Sequence, residues 1–204
     1  MRGLLYSIKT RLFTWTLLFR HPELRQAYAI HSHLTSHERH KLFQLAQGKA
    51  KILEIGSYVG ASAACFGASK ANGHAGAIYC IDTWQNDAMT EGNRDTYSEF
   101  MKNTKAFEEW IVPIRGYSTE VLARVKEHTQ ALDVLFIDGD HSYEGVKADW
   151  DAYKDFLSAG SIVIFHDWGW AEGVKQVIEQ DVKPVVSDFE SLPNMWWGTI
   201  RSIR

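Results

Sequence analysis

The segment from Leu132 to Trp150, LDVLFIDGDHSYEGVKADW, narrows the fold more than any other stretch of the chain. Leu132, Val134, Leu135, Phe136 and Ile137 make an apolar run of strand length that stops at Asp138, Gly139, Asp140 and His141. Apolar residues in near succession mark a strand covered on both faces, as in a parallel sheet packed between helices. In open α/β sheets ligands collect beyond the carboxyl ends of the strands, so two carboxylates and an imidazole there are placed for chemistry.

The pattern recurs along the chain. Strands are predicted at Lys51 to Ile55, Ala77 to Ile81 with Asp82 at its end, Trp110 to Ile114, and Ser161 to Phe165, which stops at His166 and Asp167. Helices are predicted from Ala61 to about Lys70, Thr96 to Phe107, after Ser118, from Tyr143 to Leu157, and Gly173 to Asp181. Lys183 to Ser187 and Trp196 to Ile203 read as a closing β pair. Seven strands alternating early with helices, then a closing β pair, predict an α/β fold with a doubly wound sheet and one antiparallel edge strand. Residues 22 to 47 look helical, with a second start at Thr35 or Ser36 and Glu38 close behind as a near capping box. The expected division is a helical extension over 1–47 and a single domain over 48–204.

Hydrophobic content of 45% and charged content of 23% exclude a mainly disordered chain. A net charge of −3 gives no reason to expect nucleic acid as a partner. Cys65 and Cys80 each lie inside an apolar element, which argues against a disulfide framework and for the reducing cytoplasm. In the stretch Gly3 to Phe19, Lys9 and Arg11 interrupt the apolar residues well short of a membrane span, and no signal-peptide pattern is present. Arg2, Lys9, Arg11 and Arg20 beside Leu5, Leu12, Trp15 and Phe19 suit a helix packed on its own domain, with a membrane surface or a second subunit as alternatives. His33, His37 and His40 have the spacing of one helix face, but with no acidic or Cys partner solvated histidines are the simpler reading.

Gly56 and Gly60 let the backbone after the first strand pass close to a ligand, and the helix start beyond them favours an anion. The GxGxxG spacing of a dinucleotide loop is absent, since Tyr58 and Ala61 do not fit it. Asp82 is placed to accept hydrogen bonds from both hydroxyls of a ribose. Trp84 either shelters a ring or fills the core. Ser118 is a candidate helix cap that can also bond an adenine edge. The polar loop Gln85 to Asp95 is long enough for a lid, and Ser36 and Glu38 lie within reach of a ligand at the mouth of the first strand. Glu144, Asp149, Asp151 and Asp155 look like a solvated acidic face.

Together, LEIGSYVGAS, YCIDTW, RGYSTE, FIDGDHSYEGVKADW and VIFHDW resemble the class I S-adenosylmethionine-dependent methyltransferases over Lys51 to about Ile200. The branch most resembled is the metal-dependent O-methyltransferases, with their catechol, macrolide-sugar and cephalosporin-tailoring members. The resemblance implies a Rossmann-like sheet of order 3-2-1-4-5-7-6 with the seventh strand antiparallel. It implies S-adenosylmethionine contacts at Glu54, Gly56, Ser57, Tyr58, Gly60 and Ser62, at Asp82, Thr83 and Trp84, at Tyr117 and Ser118, and at Asp138. A divalent metal (Mg, Mn or Ca) would be held by Asp138, His166 and Asp167, and the base would be His141 or Asp140. His166 departs from the acid usual there, so it is either a ligand better suited to a softer cation or a hydrogen-bonding residue that leaves the ion to the two acids.

The reaction expected is methyl transfer to a hydroxyl of a small molecule such as a sugar, phenol or natural-product scaffold. A non-catalytic S-adenosylmethionine-binding module acting through a protein partner or membrane is the alternative; a nucleotide-binding oxidoreductase fits the loop spacing less well. Trp168, Trp170, Trp196 and Trp197 are candidates for an acceptor pocket or for the core, and a homo-oligomer is possible.

Overall fold

The computed structural model describes residues 2–71, 73, 75–85, 92 and 94–202. Seven strands form one sheet: β1 (Lys51–Ile55), β2 (Ala77–Asp82), β3 (Ile111–Arg115), β4 (Leu132–Ile137), β5 (Leu157–His166), β6 (Val186–Leu192) and β7 (Met195–Ile200). Their order is β3-β2-β1-β4-β5-β7-β6, with β7 antiparallel to both neighbours and the other pairings parallel. This is the Rossmann-like order that the resemblance implies; the antiparallel strand expected at the edge is instead interior, because the β6–β7 hairpin places β6 outside β7. Its order reverses between β1 and β4, the switch point where a doubly wound sheet opens a crevice.

Both faces of the sheet are covered, which explains the near-continuous apolar runs. Ile52, Ile78, Cys80, Val134, Phe136 and Ile164 face helices α1 (Arg2–Arg20), α2 (Arg25–Ala29), α3 (Ser36–Leu45), α4 (Ala61–Ala68) and α5 (Tyr97–Asn103). Leu53, Ile81, Leu135, Ile137, Val163 and Phe165 face α6 (Leu122–His128), α7 (Tyr143–Tyr153) and α8 (Glu172–Val177). Cys65 and Cys80 are both free and buried.

Several boundaries differ from the sequence expectation. Residues 22–47 are broken: α2 ends at Ala29, and α3 starts only after Thr35, which caps it in a complete capping box with Glu38. His33 therefore lies before the helix, against the Tyr58 ring, while His37 stacks on Phe13, so the three histidines share no helical face. Strand β5 begins at Leu157, where a helix was expected, and its pairing with β4 is irregular between Leu132 and Val134. The helix expected to end at Asp181 continues through a π turn and a 3-10 turn to Val185, and Pro184 lies where a strand was expected; β6 starts only at Val186. Of the segment expected to act as a lid, residues 86–91 and 93 lie outside the described residues. Among the described residues no helix is long and apolar enough to cross a membrane.

Candidate active site

The loops after β1, β2 and β4 are tied together at the switch point. Gly56 N–H donates to the Ile81 carbonyl at 2.9 Å, and Asp138 N–H donates to the Ile55 carbonyl at 2.9 Å. Gly56 has φ +88°, and a methyl group on it would stand 2.0 Å from the Asp138 carbonyl oxygen. Only glycine allows that approach. Gly60, also left-handed at φ +90°, lies against Thr104 and Phe100, so α5 closes on the start of α4 there.

Asp82 locks the turn in place. Its Oδ2 accepts the Tyr58 N–H at 2.8 Å and its Oδ1 the Trp84 N–H at 2.5 Å. An acid at the end of β2 stands where a ribose diol can be taken up. Trp84 is fully buried against Tyr97 and Phe100, and its indole N–H donates to the Tyr58 carbonyl at 2.9 Å. It braces the turn from the core side and presents no ring surface to the crevice. The Thr83 carbonyl accepts from Arg115 Nε at 3.0 Å.

Glu54 lies under the same turn and is fully buried; its Oε2 accepts the Ser57 hydroxyl at 2.8 Å while Oε1 has no hydrogen-bond partner among the described residues. Ser62, also buried, follows at the start of α4. Burial pushes the Glu54 carboxyl from 4.5 up to about 7, with the Ser57 hydroxyl among the groups that hold it back. A carboxyl raised by folding stabilises the fold in its protonated form. That contribution is complete below about pH 4.5 and is lost as pH rises through about 7. Glu54→Gln should remove the dependence, on the order of 3 kcal/mol between pH 5 and 8. Urea unfolding of both proteins at several pH values checks this; equal pH slopes would refute it.

After β3, Tyr117 is exposed while Ser118 turns inward, its hydroxyl donating to Asp149 Oδ1. The Ser118 carbonyl accepts the Tyr153 hydroxyl at 2.6 Å. Asp149 is thus buried, not part of a solvated face, and burial raises its carboxyl to about 6. Asp151, Asp155 and Glu144 are exposed as expected. The position of Asp149 was legible: with Val146, Trp150 and Tyr153 it completes one buried helical stripe.

The second part of the site joins the ends of β4 and β5. Asp138, His141 and Asp167 offer ligand atoms that all lie within 4.8 Å of one another. Asp167, at φ +58°, receives four groups: His141 Nε2 at 2.8 Å and His166 Nδ1 at 3.3 Å on Oδ2, and Trp170 Nε1 at 2.7 Å and Asn194 Nδ2 at 2.8 Å on Oδ1. These neighbours hold its carboxyl far below the usual range despite the opposing effect of burial. His141 is raised, chiefly by its hydrogen bond to Asp167.

His166 lies deeper, 4% exposed, with both ring nitrogens engaged. Nδ1 is 3.1 Å from Asp138 Oδ1, while Nε2 is 3.4 Å from Asn194 Nδ2 and 3.8 Å from Glu38 Oε2. Burial opposes its charge, but the surrounding carboxylates of Asp138, Asp167 and Glu38 outweigh burial and hold the imidazole well above its ordinary pKa. Glu38, 2% exposed, also accepts the Thr35 N–H at 2.7 Å, so the cap of α3 carries a carboxylate into the site. Asp140 is exposed and turned back: its Oδ1 accepts the Ser142 N–H at 2.7 Å at the start of α7. Asn194 had no signal in the sequence beyond a polar residue beside Pro193 ahead of the last strand.

Of the four candidate tryptophans, Trp196 and Trp197 are buried, Trp168 is half-buried, and Trp170 is 60% exposed with its ring 4.9 Å from that of His141.

A family model described as a methyltransferase domain matches residues 53–168. An uncharacterized protein, y4gI of Sinorhizobium fredii, is 32% identical over 119 residues, 57% of this chain; the match spans only 13% of that longer protein. Among solved structures, CalS11, a TDP-rhamnose 3'-O-methyltransferase of calicheamicin biosynthesis, has a TM-score of 0.63 at 19% identity, covering 79% of this chain and 77% of that one. An O-methyltransferase from Bacillus cereus in complex with SAH has a TM-score of 0.65 at 15% identity, covering 90% of each chain. MycE, a methyltransferase of mycinamycin biosynthesis in complex with Mg, SAH and mycinamycin VI, has a TM-score of 0.54 at 16% identity, covering 82% of this chain and 49% of that one.

Proposed function

The chain belongs to the methyltransferase-domain family, and on that premise we propose that it moves a methyl group from S-adenosylmethionine to a hydroxyl oxygen of a small molecule. The observation that carries the reading is the meeting of two half-sites. One is the Gly56 turn locked by Asp82; the other is the cluster of Asp138, His141 and Asp167. When bound, the cofactor supplies an electrophilic methyl on a sulfonium. Gly56 and Tyr58 would pass their backbone beside its methionine part, with Glu54 beneath, Asp82 would take the ribose, and Ser118, fixed by Asp149 and Tyr153, would border the adenine.

The donor set also fits a divalent cation. Two carboxylates within 4.8 Å of each other and an imidazole at the same point suit Mg²⁺ or Mn²⁺, and MycE, of the same fold, was solved with Mg. Asp138 and Asp167 would hold the ion, whose chemistry is to acidify and orient an acceptor hydroxyl. His166, enclosed by carboxylates, supports Asp138 and Asp167 from behind and is not needed as a ligand. His141 is the base: Asp167 orients its ring and raises its proton affinity, and the exposed Trp170 beside it offers a flat face for a ring-bearing acceptor. Asp140, held in the turn before α7, takes no part.

His141→Ala tests the assignment with a panel of phenols and sugar-bearing acceptors and radiolabelled cofactor. Turnover should fall about 10²- to 10⁴-fold while Mn²⁺ affinity changes less than about tenfold. Collapse of Mn²⁺ affinity would make His141 a ligand instead. Full activity after chelation would reject the ion, and no transfer to any hydroxyl despite tight cofactor binding would favour a non-catalytic module.

A further inference from the structure

Among the described side chains of helix α1, those packed on the rest of the chain lie on one side. Leu17 is buried and Phe13 and Leu18 partly so. Phe13 stacks on His37 with ring centroids 4.1 Å apart, and the Thr14 hydroxyl donates to Ser36 Oγ at 3.0 Å. The opposite side carries Leu12, Trp15 and Phe19, which are 61%, 68% and 74% exposed. Spacings of three and four place them in one stripe, and the Trp15 and Phe19 rings stack at 6.1 Å. At 100° per residue, Arg11 falls on one edge of that stripe and Lys9 and Arg20 on the other, all three exposed.

A soluble surface rarely keeps an apolar stripe of this kind without a use. Charge decides what covers it. Helix α1 has four cationic residues, Arg2, Lys9, Arg11 and Arg20, and no acidic one. With −3 on the whole chain, the residues outside the helix carry a net −7, so a cationic helix stands against an anionic remainder. A second copy meeting the stripe across a two-fold axis would bring these cations against one another, which opposes pairing. An anionic lipid surface satisfies both features at once, taking the aromatic rings at the acyl boundary and the cations at the phosphates. The helix is not long and apolar enough to cross.

We propose that α1 docks the protein on anionic lipid bilayers, with Leu12, Trp15 and Phe19 entering the interface and Lys9, Arg11 and Arg20 meeting the headgroup phosphates. This inference does not depend on the reaction assigned to the site. The full chain is sedimented with vesicles of phosphatidylcholine alone or mixed with phosphatidylglycerol, at low and high salt. Binding to the mixed vesicles should exceed binding to the neutral ones at least tenfold and weaken in high salt. Trp15→Ser with Phe19→Ser should cut it at least tenfold, and Arg11→Glu with Arg20→Glu should abolish the preference for anionic lipid. Because all four side chains are exposed, circular dichroism and the melting temperature should stay at wild-type values. Absence of binding to mixed vesicles, or binding indifferent to these substitutions, overturns the proposal. So does a dimer in sedimentation analysis that the Trp15→Ser, Phe19→Ser variant dissolves while vesicles bind nothing, since a second copy would then be the occupant.

Discussion

Asp167→Asn should lower turnover by about 10²- to 10⁴-fold and destabilise the fold by about 3 kcal/mol. Four groups gather on this one carboxylate. Asp167 accepts from His141, Trp170 and Asn194 and pairs with His166, so one side chain joins the loop after β4, the segment after β5 and the turn between β6 and β7. The amide keeps the shape but places an NH₂ against donors where one of the two carboxylate oxygens stood, and it removes the charge from both. His141 then loses both its orientation and the charge that raises its proton affinity, while His166 keeps Asp138 and Glu38 as counter-charges. Single-turnover kinetics with a denaturant titration reads both effects. Wild-type turnover in a protein that still binds cofactor would remove Asp167 from the mechanism.

The second large effect belongs to Gly56→Ala. The added methyl would stand 2.0 Å from the Asp138 carbonyl oxygen and 2.6 Å from its carbon, on a residue already at φ +88°. Strand ends cannot yield like a flexible side chain, so the loops after β1 and β4 must separate. Left-handed strain and overpacking together should cost about 3 kcal/mol or more. Because the same separation pulls Asp138 away from Asp82, cofactor affinity should fall with stability. Near-native stability and unchanged cofactor affinity in this variant would show that the close approach of the two loops is not needed.

The parts of the structure legible in the sequence were those encoded by short-range physics. A strand buried on both faces must be apolar throughout, so Lys51–Ile55, Ala77–Asp82 and Leu132–Ile137 announced themselves, and the acids that end them marked the crevice. The strand order, the reversal between β1 and β4, and the interior place of β7 followed from the motif order through resemblance; local pattern gave only the presence of one antiparallel strand. What remained hidden was set by contacts between distant residues. Glu38 reads as a capping-box residue, and it is one, but its nearness to His166 depends on how α3 lies over the sheet. Asn194 is similar, a turn residue until the β6–β7 hairpin brings it to Asp167. For Trp84 the sequence left a ring shelter and the core as alternatives, and the packing of α5 against its ring decides for the core. Asp140 and His141 are adjacent in sequence and equal on composition; the turn into α7 directs one carboxylate to a backbone N–H and leaves the imidazole at Asp167.

The Gly56 turn and Asp82 together form the proposed grip for an adenosyl sulfonium donor. Titration calorimetry of the purified chain with S-adenosylhomocysteine measures this directly. Saturable one-to-one binding is predicted, and Asp82→Ala should lose it while the protein remains folded by circular dichroism. A folded wild-type chain that gives no heat with S-adenosylhomocysteine or S-adenosylmethionine would contradict the account.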